Sequence, residues 1–276
     1  MNIPTKRPVI TFYLLAALFT VLFGMFNSTF FPITFQYCLM LPQWGPAAAA
    51  ILVFLFLKQR GSIRGMFKHL LPGRGDVPYL VLAFIIPAVC CAATYIILSV
   101  KDTGGFRPPV FSRSFPNYAV CLAATFLSVT GEELGWRGFM LPELRKNYSP
   151  LAASLITGLF WGIWHFRFQS IALAVFFVIL VIEFSCIITR LNSKTDNRIL
   201  AGTVFHTFVN MGSLMFFENI VMGDSADTVR LNALLYGIYA AVFAVPGIIS
   251  AAALLKQKNG NPKVRTGINI DEQLAL

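Results

Sequence analysis

Long apolar runs alternate with short polar segments along almost the whole chain. A membrane-spanning helix needs about 20 mostly apolar residues, and eight runs come close to that length. They cover approximately residues 9–31, 39–57, 77–100, a fourth run that begins near 117, and then 150–166, 171–189, 199–221 and 231–255. The pattern predicts an all-α, polytopic membrane protein whose residues 1–276 form a single transmembrane domain.

The polar segment between the second and third runs has a helical period of its own. Apolar side chains recur at spacings of three and four, and polar or basic side chains take the other side. The apolar set is Ile63, Met66, Phe67, Leu70 and Leu71, and the polar set is Arg64, Lys68 and His69. With Ser62 as a cap and Pro72 as a stop, this predicts a short helix in the headgroup region. The alternative is a solvated loop.

Composition agrees with a membrane protein. Of the 276 residues, 57% are hydrophobic and 12% are charged, whereas soluble domains contain about 25% charged residues. No polar stretch is long enough for a separate soluble domain, and the polar tail at 256–276 is predicted to be disordered. The net charge of +10 is spread between the apolar runs, which indicates membrane topology rather than nucleic-acid binding.

The distribution of basic residues predicts the orientation. Sixteen Lys and Arg residues fall on the side of the two termini and five on the other, with Arg137 counted separately. The positive-inside rule then puts both termini in the cytoplasm, and we expect a plasma-membrane protein. Lys6 and Arg7 precede the first run without a small-residue cleavage site, so that run is predicted to be a retained span.

The five cysteines show no CxxC spacing. They lie in or beside apolar runs, and we predict that they are small buried hydrophobes rather than disulfides or metal ligands.

Two adjacent carboxylates and an arginine follow the apolar stretch 119–129. A charge at the centre of a bilayer costs about 2.5–3.5 kcal/mol on insertion scales. Glu133 and Arg137 are spaced i,i+4 with the acid first, which favours an ion pair. Glu132 lies about 100° further round the helix without such a partner, so we predict that it is free for proton chemistry. The alternative is a salt-bridge cluster at the membrane interface.

Two histidines lie inside predicted spans. His165 ends an aromatic-rich stretch, and His206 is spaced i,i+4 from Asn210, so that these two share one helix face. Either histidine alone would also be explained by a hydrogen bond to a neighbouring helix. Because isolated polar groups in hydrocarbon are costly, we expect Glu132, His165, His206 and Asn210 to line one cavity. Glu183, in the sixth run, has no clear place in this set.

These side chains suit peptide hydrolysis. A carboxylate takes a proton from water, histidine assists that step, and asparagine donates to a developing oxyanion. Glu132, His165 and His206 would equally serve as three zinc ligands, with water in the fourth position. An HExxH motif is not present in the sequence. Metal-free and metal-assisted forms therefore both stay open, and the cofactor is unknown.

The order and spacing of these motifs resemble the CPBP family of intramembrane proteases. That family includes the type II CAAX prenyl endopeptidases and the bacterial Abi proteins tied to bacteriocin processing and self-immunity. The resemblance covers about residues 117–215 and rests on Glu132-Glu133-x-x-x-Arg137, on Trp161-x-x-x-His165 and on His206-x-x-x-Asn210. The family usually has Phe where this chain has Trp161.

The resemblance implies an intramembrane endopeptidase that acts on a membrane-associated or lipidated protein or peptide, with the lipid bilayer as its other partner and no nucleic acid. It implies Glu132 and His165 as water activators, His206 and Asn210 as further catalytic or oxyanion groups, and Glu133 and Arg137 as supporting groups. One alternative is an immunity or binding protein of the same fold. Another is a proton-coupled transporter that uses Glu132 and Glu183.

Overall fold

The computed structural model describes residues 7–30, 40–111, 113–165, 168–221 and 226–257. Over these residues the chain forms ten α-helices and no strand, which confirms the all-α prediction. The helices are α1 (Pro8–Phe30), α2 (Gly45–Phe56), α3 (Arg60–Lys68), α4 (Val77–Thr103), α5 (Phe115–Gly135), α6 (Leu141–Leu144), α7 (Pro150–Trp164), α8 (Ile171–Ser193), α9 (Leu200–Val221) and α10 (Ala226–Leu255). A 3₁₀ turn, Leu41–Trp44, precedes α2, and a π-helical turn, Trp136–Met140, follows α5.

Five of the described helices are long and apolar enough to cross a membrane, namely α1, α4, α8, α9 and α10. Two other apolar segments, Leu41–Phe56 and Pro150–Trp164, are shorter than a usual span. The protein is therefore a polytopic membrane protein with five candidate spans, and the predicted number of eight is not confirmed. The orientation of the termini stays a prediction. The predicted disordered tail lies outside the described residues from 258 onward.

The helices pack so that the motif-bearing segments meet. Helix α8 packs along α7 and α10, α9 packs against α4 and α5, and α1 packs along α2. Aromatic side chains fill the interior, as in the cluster of Phe184, Phe205 and Phe243 from α8, α9 and α10. Edge-to-face ring pairs of this kind fix the relative positions of neighbouring helices.

Two glycines allow the backbone of α5 to pack directly against the backbone of the 3₁₀ turn and of the first residues of α2. A Cβ on Gly131 would lie 2.8 Å from the Gln43 carbonyl oxygen, and one on Gly135 would lie 2.6 Å from the Pro46 carbonyl carbon. Both contacts are closer than real Cβ atoms come to backbone. Gly131 and Gly135 are four residues apart and so share one face, which is the small-residue pattern of closely packed membrane helices.

The predicted short helix between the second and third runs is present as α3, but it ends at Lys68 and not at Pro72. Its place in the headgroup region stays a prediction. The helix begins at Arg60, with Gln59 at the N-cap position, so the prediction of Ser62 as the cap was wrong. Met66 is buried against the core, while Ser62 is exposed.

The cysteine prediction holds in part. Cys90, Cys91 and Cys186 are free and buried. Cys121 is disulfide-bonded, so the prediction of five reduced cysteines was wrong for this residue. Spacing along the sequence did not reveal this bond, because a disulfide joins residues that only the fold brings together.

Candidate active site

Glu133 is the anionic centre of the site. Its Oε1 accepts a hydrogen bond of 2.9 Å from Arg137 Nη1, which confirms the predicted i,i+4 ion pair. The same oxygen lies 3.0 Å from Nδ1 of His206 on α9. Both the Glu133 and the Arg137 side chains are fully buried. Glu133 therefore joins the end of α5 to the middle of α9, a link that the sequence did not reveal.

Glu132 is not free, contrary to the prediction. Its Oε1 accepts a hydrogen bond of 2.6 Å from the side-chain amide of Gln43, and its Oε2 accepts one of 2.6 Å from the indole Nε1 of Trp161. The residue is completely buried. The prediction failed because it considered only helix-local partners, whereas both donors come from other segments. Both donors are neutral, so they orient the carboxylate without cancelling its charge.

Trp161 on α7 contacts most of the site. Besides its bond to Glu132, its ring lies 4.2 Å beneath the guanidinium carbon of Arg137, within the range of a cation–π contact. Its ring centroid is 5.0 Å from that of His206 and 5.9 Å from that of His165. The aromatic residue of the second motif is therefore the element around which the carboxylates and histidines are arranged.

His165 lies at the C-terminal end of α7 and is half-buried. Its Nδ1 is 2.9 Å from the carbonyl oxygen of Trp161. A carbonyl only accepts hydrogen bonds, so Nδ1 carries the proton in neutral His165 and Nε2 is the nitrogen with the basic lone pair. The ring also packs edge-on against Trp164 and Phe177. His165 is thus oriented at Nδ1 by the backbone of its own helix.

His206 is oriented in the same manner, with Nδ1 on the Glu133 carboxylate. Asn210 follows one turn later on α9 and is half-buried, whereas His206 is buried. Glu132, His165 and His206 each lie against Trp161, so α5, α7 and α9 pack together at this point. The expected cavity lined by these residues and Asn210 stays a prediction. The catalytic roles of the residues stay predictions.

The π-helical turn places Arg137. Helix α5 ends at Gly135, and the wider turn that follows begins at Trp136, so Arg137 projects from a local irregularity. Turns of this type occur often at functional sites. On its other side the turn carries Gly138, where a Cβ would lie 2.6 Å from Met66 Cγ of α3. The π-helical turn therefore packs against α3, and the ion pair contacts α9 through His206.

Among the described residues, no group of three His, Cys, Asp or Glu side chains lies close enough together to hold a metal ion. Glu132 is engaged with Gln43 and Trp161, and His206 is engaged with Glu133. The cofactor stays unassigned, and no step of the chemistry below is assigned to a metal.

Sequence reasoning missed Gln43. It lies in the 3₁₀ turn before α2, 89 positions from its partner Glu132. The sequence did contain a sign of this hydrogen bond, because an uncharged amide inside the apolar run 39–57 needs a hydrogen-bonding partner. The close approach at Gly131 brings the turn to α5 and so puts the amide within reach of the carboxylate.

Two further features lie apart from this cluster. An apolar cleft of about 400 Å³ lies between α5 and α9, and its wall on α9 includes Val204 and Phe208. Helical geometry puts that wall roughly opposite His206 on the helix, so the cleft is not the reaction chamber. Glu183 packs its Cβ and Cγ against Gly247 of α10 and so faces α10.

Comparison with known proteins agrees with the motifs. Residues 113–212 match the family model described as Type II CAAX prenyl endopeptidase Rce1-like. This part of the chain is thus similar to a class of CAAX prenyl endopeptidases. Over 215 residues the chain is 28% identical to CAAX prenyl protease 2 of Methanococcus maripaludis, an alignment that covers 70% of this chain and 77% of that protein. The two findings confirm the resemblance to the type II CAAX prenyl endopeptidases. Gln43 lies outside the residues that the family model matches.

Proposed function

We propose that the protein is an intramembrane endopeptidase that hydrolyses a peptide bond of a membrane-associated protein or peptide, with Glu132 as the water-activating group. The observation that carries this proposal is the difference between two adjacent carboxylates. One oxygen of Glu133 accepts a hydrogen bond from the Arg137 cation and also contacts His206. Glu132 is held by the neutral donors Gln43 and Trp161. Glu132 is therefore oriented by donors that carry no charge of their own.

We infer that Glu132 binds the attacking water, because its two donors leave lone pairs on both oxygens. A carboxylate has about four lone-pair sites, and the bonds from Gln43 and Trp161 occupy one on each oxygen. A second lone pair on either oxygen accepts a proton from a water molecule. The resulting hydroxide attacks the carbonyl carbon of the scissile bond, and the proton then passes to the leaving amine. His165, which the Trp161 carbonyl orients at Nδ1, assists the first transfer.

The attack creates negative charge on the substrate carbonyl oxygen. The amide of Asn210 donates to this oxyanion, an interaction worth about 3 kcal/mol in well-studied hydrolases. His206, one turn away on the same face, is fixed at Nδ1 by Glu133 and exchanges a proton at Nε2. Arg137 keeps Glu133 in place for this role. The Glu133–Arg137 pair thus has a structural role, which is to hold His206 in place.

The matched family is described as CAAX prenyl endopeptidases, and the Methanococcus maripaludis relative is a CAAX prenyl protease. We therefore propose that the substrate is a lipid-modified protein or peptide that reaches the enzyme from the bilayer.

A cleavage assay on purified protein tests the proposal. The protein is incubated in vesicles with membrane-anchored peptide libraries, with and without lipidation, in water enriched in heavy oxygen. Hydrolysis places one heavy oxygen in each new carboxylate, which mass spectrometry detects. Wild type should give such products and Glu132→Ala should not, and a chelator arm decides whether a metal is required. Equal products from both proteins would refute the role of Glu132.

A further inference from the structure

Helix α3 presents a row of exposed basic side chains that the proposed chemistry does not use. Arg60, Arg64 and Lys68 are exposed and spaced four residues apart, so they lie along one side of the helix. Among the ion pairs between described residues, none involves these three side chains. Their charge is therefore available to an anion outside the protein.

Apolar side chains flank this row. Phe67 is 40% exposed and Leu71, just past the helix, is 60% exposed. The opposite side of the segment packs inward, with Met66 buried and Ile63 and Leu70 partly buried against the core. A basic row with exposed apolar side chains next to it is the pattern of a helix that lies in the headgroup region of an anionic membrane.

The position of α3 in the fold agrees with a place in the headgroup region. The His69 carbonyl accepts a hydrogen bond of 3.0 Å from the amide of Ile199, and Arg198 Nη1 donates one of 3.2 Å to the Leu71 carbonyl. The candidate span of α9 begins at Leu200, directly after Ile199. The candidate span of α4 begins at Val77, shortly after Leu71. The segment around α3 is therefore bonded to the protein at the level where two spans begin, which is the membrane surface.

We propose that α3 binds the phosphate headgroups of anionic phospholipids in the adjacent leaflet. Arg60, Arg64 and Lys68 contact the headgroups, and Phe67 and Leu71 insert between the outer parts of the acyl chains. Because Met66 packs at Gly138 in the π-helical turn, bound lipid holds that turn against the bundle. This property is separate from the proposed peptidase activity and is measured without a peptide substrate.

The test compares thermal unfolding of the full-length protein in vesicles of phosphatidylcholine alone and with about 30 mol% phosphatidylglycerol. A thiol-reactive dye reports unfolding, because the free cysteines Cys90, Cys91 and Cys186 are buried in the folded protein. Phosphatidylglycerol should raise the Tm of wild type. The Tm shift should fall by at least about half in a variant that combines R60Q, R64Q and K68Q.

Two matched variants control for charge and for side-chain identity. R60K, R64K and K68R together keep the charge and should keep the Tm shift. The second variant combines K101Q, R107Q and R230Q. It removes three exposed charges elsewhere on the protein and should keep most of the Tm shift.

Three further arms decide the remaining outcomes. About 0.5 M salt should weaken the shift in wild type, since it screens exposed charges, and this arm stands even if the α3 variant does not fold. Inorganic phosphate with phosphatidylcholine vesicles should give no shift, and a shift of equal size there would overturn the assignment to lipid. No phosphatidylglycerol shift in wild type, or equal loss in the α3 variant and in the variant of Lys101, Arg107 and Arg230, would refute the proposal.

Discussion

Replacing Trp161 with Phe removes one hydrogen-bond donor from Glu132 and keeps an aromatic ring in place. The indole Nε1 is 2.6 Å from Glu132 Oε2, and Trp161 is 1% exposed, so water does not replace the donor easily. A hydrogen bond to a charged group contributes about 1.5–3 kcal/mol. Because Gln43 still holds Oε1, we use the lower value, which corresponds to roughly a tenfold lower kcat. The related family usually has Phe at this position, so the fold should tolerate the change.

Trp164→Phe is the matched control. Trp164 is on the same helix and is also buried, but its Nε1 donates to Thr20 Oγ1 rather than to Glu132. Both variants lose one indole bond and a similar volume, so both should lose a similar amount of thermal stability. The assay is peptide cleavage per folded molecule, with Tm measured in parallel. Equal kcat in the two variants, or full kcat in Trp161→Phe, would refute the role assigned to the indole.

The second donor gives an internal check on the same reasoning. Gln43→Met removes the amide and keeps the length of the side chain. If Gln43 and Trp161 both act on Glu132, the double variant should show a coupling of at least about 0.5 kcal/mol relative to the sum of the single variants. Strict additivity would mean that the two donors do not act on a common group.

Three other perturbations have distinct expected results. Glu133→Gln leaves the buried Arg137 cation without an anionic partner, so unfolding free energy should fall by about 3 kcal/mol, seen as a lower Tm; an unchanged Tm would contradict this. Asn210→Asp keeps size but repels the developing oxyanion, so turnover per folded molecule should fall about 100-fold, and near-normal turnover would make Asn210 structural. Burial and the charge of Arg198 lower the pKa of His69; Arg198→Gln removes that charge and should raise this pKa in an NMR titration, and no change would exclude the interaction.

The sequence predicted the parts of the site that depend on one helix. The i,i+4 spacing was sufficient for the Glu133–Arg137 pair, since a single helical turn determines that distance. It was insufficient for Glu132, whose donors come from α7 and from the turn before α2. The role of Gln43 depends on close packing at Gly131, which is a property of two segments far apart in the chain.

The sequence predicted the positions of the helices better than the number of helices that cross the membrane. The apolar runs predicted the long helices, and the helical period of a polar segment predicted α3, because periodicity reports the buried face directly. The number of spans was not confirmed, since α2 and α7 are short and α5 carries two glutamates at its end. The π-helical turn after α5 has no pattern that distinguishes it from a continued helix, although it determines where Arg137 points.

The central claim is that Glu132 is the proton acceptor for water. The most direct measurement is single-turnover cleavage of a membrane-anchored peptide by wild type and Glu132→Gln, expressed per folded molecule. The amide keeps the size of the carboxylate: its oxygen accepts from Trp161, and its NH2 donates to the Gln43 side-chain oxygen once that amide turns over. It does not accept the proton from water. The account predicts cleavage at background level with a Tm close to that of wild type. Cleavage by Glu132→Gln within about twofold of wild type would contradict it.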